Sequence, residues 1–352
     1  MSDVLALAEC RPDAAELVGG KAVGLGRLVR ESLQVPPGFV VTTAAYRAWL
    51  HDAGLEPELE AIIAAATRDA GGAWGAIREL FAATPLPEEL ATAVTAAYAA
   101  LGEDVPVAVR SSATAEDTAE ASFAGQQETY LWIVGADAVL DHVRECWASL
   151  FTPQAMSYRA RLAIPTADVA MAVVIQQMVD AAAAGVMITL DPLTGDPSQV
   201  AIEGAFGLGV PVVGGEITPD RFTVDKVTRK LRTRTIAHKP FADRFDRERG
   251  GVQRVDLDGD SAEAPCLTDD EALALAEVGV NAERALGGAQ DIEWAVGPGV
   301  DGTRTLHFVQ ARPETVWRNR KRELPARGGA MNGIVALWGG RTDDRTREHA
   351  PS

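Results

Sequence analysis

The chain has 352 residues, more than a single hydrophobic core usually supports, so two or three subdomains are expected. Its composition is globular, with 47% hydrophobic and 24% charged residues, and a formal net charge of -17 argues against long-range attraction to nucleic acid or an anionic membrane. No apolar run reaches the roughly 18–20 residues needed to cross a bilayer. The opening MSDVLALAECRPDAAEL carries acidic residues where a signal peptide is basic, so a cytoplasmic protein is expected.

Spacing and punctuation predict the elements. In LVGGKAVGLGRLVRE (17–31) a glycine pair leads into Val23, Leu25, Leu28 and Val29 near helical spacing, a loop opening onto a helix. Pro36 and Pro37 end it, Phe39 to Val41 suit a short strand, and Thr42 or Thr43 is placed to cap the next helix. Alanine-rich helices run to about Leu101. VPVAVR, from Val105, reads as a strand, ATAEDTAEASFAGQQE as a segment too polar for core, TYLWIV as β-like and DAVLDHVRECWASLF as a helix.

Runs 169–179, 184–190 and 199–209 read as strands separated by turn residues in DPLTGDP, and the mixture predicts an α/β (α+β) protein. Residues 221–237 suit a hairpin, 240–266 an irregular acidic insertion, and 268–287 a helix with Thr268 as candidate N-cap. DIEWAV and RTLHFVQAR are strands flanking the turn-rich GPGVDGT. After Trp317 the pattern gives way to a charged linker and a mostly polar tail. Cys10, Cys146 and Cys266 are far apart and lack CxxC or Cys/His spacing, so three reduced thiols are expected, with no zinc site.

Several places carry candidate chemistry. Lys21, behind Gly19 and Gly20 at a helix start, offers an ammonium and free backbone N–H groups to one anion, or is a solvated lysine on a glycine turn. Arg110 ends the strand VPVAVR, where ligands of α/β proteins gather. The stretch ASFAGQQETY after it (121–130) is either a flap over phosphates, with Gly125 as its flexible point, or a plain loop.

The QQM triplet, Gln176 to Met178, suits an adenine edge and face, or merely meets solvent at a strand end. Glu203, beside glycines, suits ribose hydroxyls or a metal, or caps its own loop. Strict alternation places Leu306, Phe308, Gln310 and Arg312 on one face of the last strand and Asp291, Glu293 and Ala295 on one face of its neighbour. Glu293 and Gln310 then form an oxygen pair suited to Mg2+ with Arg312 beside it for a phosphate, the alternative being a charged edge strand. None of the five histidines stands in a motif that marks a nucleophile.

Taken together, VGGKAVGLGRL, VPPGFVVTTAAY, VAVRSSATAEDTAEASFAGQQETYL, VVIQQMV, AGVMITLDPLTGD, IEGAFGLGVPVVGGEITPDRF, DIEWAV and FVQARPET resemble, in order over about residues 15 to 317, one known domain. It is the N-terminal ATP-binding domain of phosphoenolpyruvate synthase, pyruvate phosphate dikinase and rifamycin phosphotransferase. The resemblance implies an ATP-grasp fold whose lobes, 1–180 and 181–317, close over ATP, with 318–352 as linker and tail. It implies that Lys21, Arg110 and Arg312 hold phosphates and that Glu293 and Gln310 hold Mg2+ and nucleotide. Gln176, Gln177, Met178 and Val179 correspond to the adenine hinge and Glu203 to a nucleotide contact. Ser122, Phe123, Ala124 and Gly125 correspond to the phosphate-covering loop, with Thr129 beside it.

Such enzymes pass the β-phosphoryl group of ATP to a histidine on a swivelling domain, releasing AMP and phosphate. No segment like that domain's motif occurs here, so a histidine-bearing partner is expected, with a small acceptor such as pyruvate or a phenol. A truncated single-chain enzyme, an ADP-forming carboxylate ligase and a non-catalytic ATP sensor are the alternatives.

Overall fold

A computed structural model describes residues 2–65, 70–113, 117–118, 121–122, 129–162, 164–246, 251–298 and 303–317. Residues Met1–Glu314 form one compact unit and Thr315–Ser352 a second, of which 315–317 are described. The chain begins with β1 (Val4–Ala6) and enters α1 (Ala15–Arg30). Gly19, at φ 76 and ψ 165, breaks α1, so Lys21 lies in the first turn of the helical run that follows. A Cβ at position 19 would lie 2.3 Å from the Ser112 carbonyl oxygen, so glycine supplies both the left-handed backbone and the room for the neighbouring strand.

After Pro36 and Pro37 comes β2 (Gly38–Val41), then α2 (Thr43–Asp52), capped by the Thr42 hydroxyl, which accepts from the Ala45 amide at 3.3 Å. The alanine-rich segment forms α3 (Glu56–Ala65), α4 (Ala70–Ala83) and α5 (Glu88–Ala99). Then follow β3 (Val107–Ala113), the short β4 (Asp117–Thr118) and β5 (Ala121–Ser122), β6 (Thr129–Ile133), α6 (Ala136–Ala148), α7 (Pro153–Leu162) and β7 (Met171–Gln177).

These strands make a five-stranded sheet in the order β1-β2-β7-β3-β6. All but the last residue of central β7 are buried, because both faces of the sheet are covered. On one face Val173 and Ile175 meet Trp49, Phe81 and Trp147, the two indoles stacking at 5.1 Å. On the other, Ala172 and Val174 meet Val18, Ala22 and Leu25 of α1.

The second half contributes β8 (Ala183–Ile188), β9 (Gln199–Phe206), α8 (Val210–Val213), β10 (Asp220–Asp225), β11 (Lys230–Thr235), β12 (Phe241–Phe245), β13 (Val252–Asp256) and α9 (Gly259–Glu263). α10 (Asp269–Leu286), β14 (Gln290–Pro298) and β15 (Arg304–Pro313) complete it. A six-stranded sheet runs β11-β10-β9-β8-β14-β15 and packs one face on α10, where Ile202, Phe222, Ile292, Trp294 and Phe308 meet Ala272, Leu275 and Ala276. Thr268 caps α10 through a capping box with Glu271. α1 also approaches this second sheet: Gly24 lies so near β15 that a Cβ there would be 2.4 Å from the Ala311 carbonyl oxygen. The Phe308 amide donates to the Gln34 carbonyl at 2.8 Å.

Three expectations change. Arg110 does not end its strand, because β3 runs on to Ala113; the pairings between the described strands are antiparallel apart from an isolated Gly207–Asp243 bridge, as the α+β reading allows. The described residues of 240–266 are not irregular: β12 pairs with β13 and α9 follows, beside fully buried Lys239, whose Nζ donates to Asp220 at 2.6 Å. Leu306, Phe308, Gln310 and Arg312 do not share a face. Glu293 opposes Gln310 while the next residue, Trp294, opposes Phe308, so Val309 is an extra residue that switches the side of the strand after it. Among the described residues no helix is long and apolar enough to cross a membrane.

Candidate active site

The bulge builds the centre of the site. With Val309 inserted, Phe308 goes to the core beside Trp294 while Gln310 and Arg312 turn to the other face, alongside Glu293 and Asp291. Directly opposed pairs extend that face into a row running Arg221, Glu203, Val186, Glu293, Gln310 across five strands.

Arg110, from the other sheet, reaches into this row. Its Nη2 donates to Glu293 Oε2 at 3.1 Å and to Gln310 Oε1 at 2.5 Å, and its Nη1 to the Val309 carbonyl of the bulge at 2.7 Å. The guanidinium is buried, and its Nε has no hydrogen-bond partner among the described residues. One cation thus joins both sheets and meets both proposed metal ligands.

Beside Arg110 and Glu293 opens a cavity of about 380 Å³. Gln176, Gln177, Met178 and Val179 form one wall, where β7 ends and the chain passes to β8; the Gln177 and Met178 amides are taken by the Pro37 and Pro106 carbonyls, both at 2.9 Å. Ala184, Gly185 and Ala295 give a floor of small residues, and Leu131, Leu208 and Val213 add apolar surface. An apolar slot with charged groups at one end suits a flat heterocycle carrying an anionic tail.

Lys21 does not line this cavity. It is buried, and its Nζ donates to the Ser111 carbonyl at 2.6 Å, one residue beyond Arg110, while Ser112 Oγ donates to the Val18 carbonyl and accepts from the Ala22 amide. Thr129 lines the cavity and pairs across the sheet with Arg110. Arg312 lies outside it and is held by its cross-strand partner Asp291 at 2.8 Å; burial raises the Asp291 carboxyl, with the Arg312 charge opposing that shift. Glu203 also lies outside, bonded to Arg221 and two strands from Glu293. Ser122 ends the short β5, and Phe123, Ala124 and Gly125 fall outside the described residues.

Glu293 and Gln310 present two hard oxygen donors within reach of one point, a set that fits Mg2+. Among the described residues no three His, Cys, Asp or Glu side chains cluster to hold a metal, so phosphate oxygens and water would have to complete its shell.

Residues 15–328 match the family described as pyruvate phosphate dikinase, AMP/ATP-binding domain. This chain belongs to that family. Among the relatives of this dikinase-family domain, a phosphoenolpyruvate synthase of Aeropyrum pernix is 38% identical over 92% of the chain and 44% of its own length. A probable phosphoenolpyruvate synthase of Methanothermobacter thermautotrophicus is 40% identical over 93% of the chain and 49% of its own length. A rifampicin phosphotransferase of a Streptomyces species is 44% identical over 86% of the chain and 35% of its own length. The dikinase-family domain therefore spans less than half the length of these relatives.

Sequence reasoning missed much of this domain's cavity. Ala184, Leu131 and Leu208 carry no polar chemistry, and only their position in the cavity marks them; Ala295 was placed on the Glu293 face without a role. The bulge carbonyl of Val309 and the Asp291 clamp on Arg312 were equally invisible, since one is a backbone atom and the other depends on register.

Proposed function

We propose that this domain binds Mg2+ and ATP and catalyses the nucleotide half of a dikinase-type phosphotransfer, giving AMP and phosphate. A histidine nitrogen on a swivelling partner domain or subunit attacks the β-phosphorus, the α–β bond breaks to release AMP, and water cleaves the β–γ bond to release phosphate. The β-phosphoryl group left on the histidine then passes to a small organic acceptor such as pyruvate or a phenol. The observation that carries the reading is the meeting of Arg110 with Glu293 and Gln310 at the polar end of an apolar cavity.

In this reading the fold is an ATP-grasp, with lobes at 1–180 and 181–317 and a linker and tail at 318–352. The adenine lies along Gln176 to Val179 with Met178 on its face, and Glu203 meets the nucleotide further along the sheet face. The polyphosphate reaches Arg110, Lys21 and Arg312, with Ser122 to Gly125 and Thr129 closing over it. Glu293 and Gln310 would hold Mg2+, which when bound would supply charge neutralisation and orientation of the phosphate oxygens. Lys21, Arg110 and Arg312 then stabilise charge developing on the transferred group, which is most of what this chemistry asks of a protein.

The test is chromatography of nucleotides after incubating the chain with ATP, Mg2+ and a histidine-bearing swivelling domain. AMP formed only with that domain present is the expected product. ADP would point instead to a carboxylate ligase, and no turnover to a non-catalytic sensor.

A further inference from the structure

We propose that the domain holds a second ligand site, for a small aliphatic monocarboxylate, on the face of the six-stranded sheet opposite the nucleotide cavity. The proposal goes beyond the nucleotide reading and does not depend on it.

The site is a cavity of about 360 Å³ between α10 and strands β9 and β10. Register fixes its face. Val200 and Val224 oppose each other directly and pack toward α10, whereas Glu203 and Arg221 of the same strands lie on the other face, in the row that leads to Glu293. The two valines form the floor, and Leu273, Ala276 and Val280 of α10 form an apolar wall. No aromatic residue is in the lining, so nothing there would stack on a ring, and a flexible alkyl chain suits it better.

The opening is held in place by specific contacts. Asp225 closes the β10–β11 turn by accepting from the Val227 and Thr228 amides at 3.0 and 2.8 Å. Lys226 fastens that turn: its Nζ donates to the Thr189 carbonyl and to the Glu283 carboxylate of α10. Arg229, left-handed at φ 54, reaches across to α10, where it stands 3.6 Å from Glu277. That contact joins two exposed side chains and holds Arg229 only weakly. Further along α10, Asn281 and Arg284 are three residues apart, so they share a helix face, and both line the cavity. Neither side chain makes a hydrogen bond or ion pair with another described residue.

Charge selects the ligand. Three carboxylates, Asp225, Asp270 and Glu277, share the lining with three cations, Lys226, Arg229 and Arg284, so the site is close to neutral. In a chain of formal net charge -17, such a site would repel a polyanion such as a second nucleotide. A single carboxylate needs only the guanidinium of Arg284 and the amide N–H of Asn281, and leaves its chain to the aliphatic lining.

The experiment is calorimetric titration of the whole chain with octanoate, with octanamide and inorganic phosphate as comparison ligands. The variants are Arg284→Gln, Val280→Phe, which fills this cavity, and Ala184→Leu, which fills the nucleotide cavity instead, each checked for folding by circular dichroism. Octanoate should bind saturably, roughly tenfold or more tighter than octanamide, and Arg284→Gln should remove that margin. Binding should be lost in Val280→Phe and kept in Ala184→Leu. Absence of saturable binding, equal binding of octanamide, tighter binding of phosphate, or indifference to Arg284→Gln overturns the proposal. Loss in Ala184→Leu with retention in Arg284→Gln puts the octanoate in the nucleotide cavity and overturns it as well. If Val280→Phe does not fold, Arg284→Gln, at an exposed position, decides alone.

Discussion

Gln310 lies directly across from Glu293 on the paired strands β14 and β15, and the single extra residue Val309 is what brings it to that face. Without the bulge the two side chains would point to opposite sides of the sheet. Glu293→Gln and Gln310→Ala should each lower the rate of ATP cleavage, measured with a histidine-bearing partner, by about 10²–10³-fold. ATP affinity, measured by calorimetry, should change far less. Equal losses of rate and affinity would assign both residues to ground-state binding.

Arg312 gives a related prediction, because Asp291 fixes its guanidinium through Nε at 2.9 Å. Arg312→Ala should abolish transfer with a smaller loss of ATP affinity. Asp291→Asn should reduce turnover partially, since the guanidinium is kept but less well oriented. An Asp291→Asn variant as inactive as Arg312→Ala would mean that the carboxylate itself takes part.

Gly19 tests how Lys21 is placed. Its φ of 76 and the 2.3 Å approach of a Cβ to Ser112 predict that Gly19→Ala loses about 1–3 kcal/mol of stability. It should also weaken ATP binding, because the segment carrying Lys21 must shift. Gly54→Ala, at φ 65 with open space around it, should be strained in stability yet leave ATP affinity unchanged. Denaturant titrations and calorimetry on the two variants separate these effects.

Trp132 on β6 stacks on Phe245 of the β12–β13 hairpin, with ring centres 3.7 Å apart and planes within 4°. Trp132 holds a φ of 60, which a bulky residue adopts only under constraint. The pair belongs to the apolar cluster containing Ala184, Ala295, Met178 and Val179, so it backs the cavity wall. Phe245→Ala should raise the dissociation constant for ATP by about 3–10-fold, the scale of one aromatic pair, with Phe245→Tyr restoring it. An unchanged constant would make the stack a purely structural contact.

Lys239 and Asp220 are a fully buried ion pair, with Asp220 also accepting from the Ala237 and Cys266 amides. Removing one partner strands a charge, so Lys239→Met should cost about 3–5 kcal/mol. Asp220→Asn added to it should recover part of that loss in chemical denaturation, and a double variant no better than the single would show that Asp220 matters mainly through its amide contacts.

The elements with long apolar periods or sharp punctuation were legible from sequence: a cap at Thr42 or Thr43, which the structure resolves to Thr42, the cap Thr268, the glycine break before Lys21, and the buried run of β7. Strand direction was not, because a strand buried on both faces reads the same in parallel and antiparallel sheets. The acidic 240–266 segment hid a hairpin because its stability comes from Lys239 meeting Asp220 and from Phe245 meeting Trp132, contacts remote in sequence. At the candidate site, charged and amide residues were proposed by type and spacing. The bulge was not, since Val309 looks like any strand valine and strict alternation assigned Phe308 and Gln310 to one face.

The most direct measurement of the central claim, that the cavity beside Arg110 is the nucleotide site, is calorimetric binding of ATP with Mg2+ to the unsubstituted chain and to Ala184→Leu. Ala184 lies on the cavity floor, where a leucine side chain would fill the space left for the base. Binding to the unsubstituted chain and its loss in a folded Ala184→Leu protein is the predicted result. Equal affinity in the two would place the nucleotide elsewhere and contradict the account.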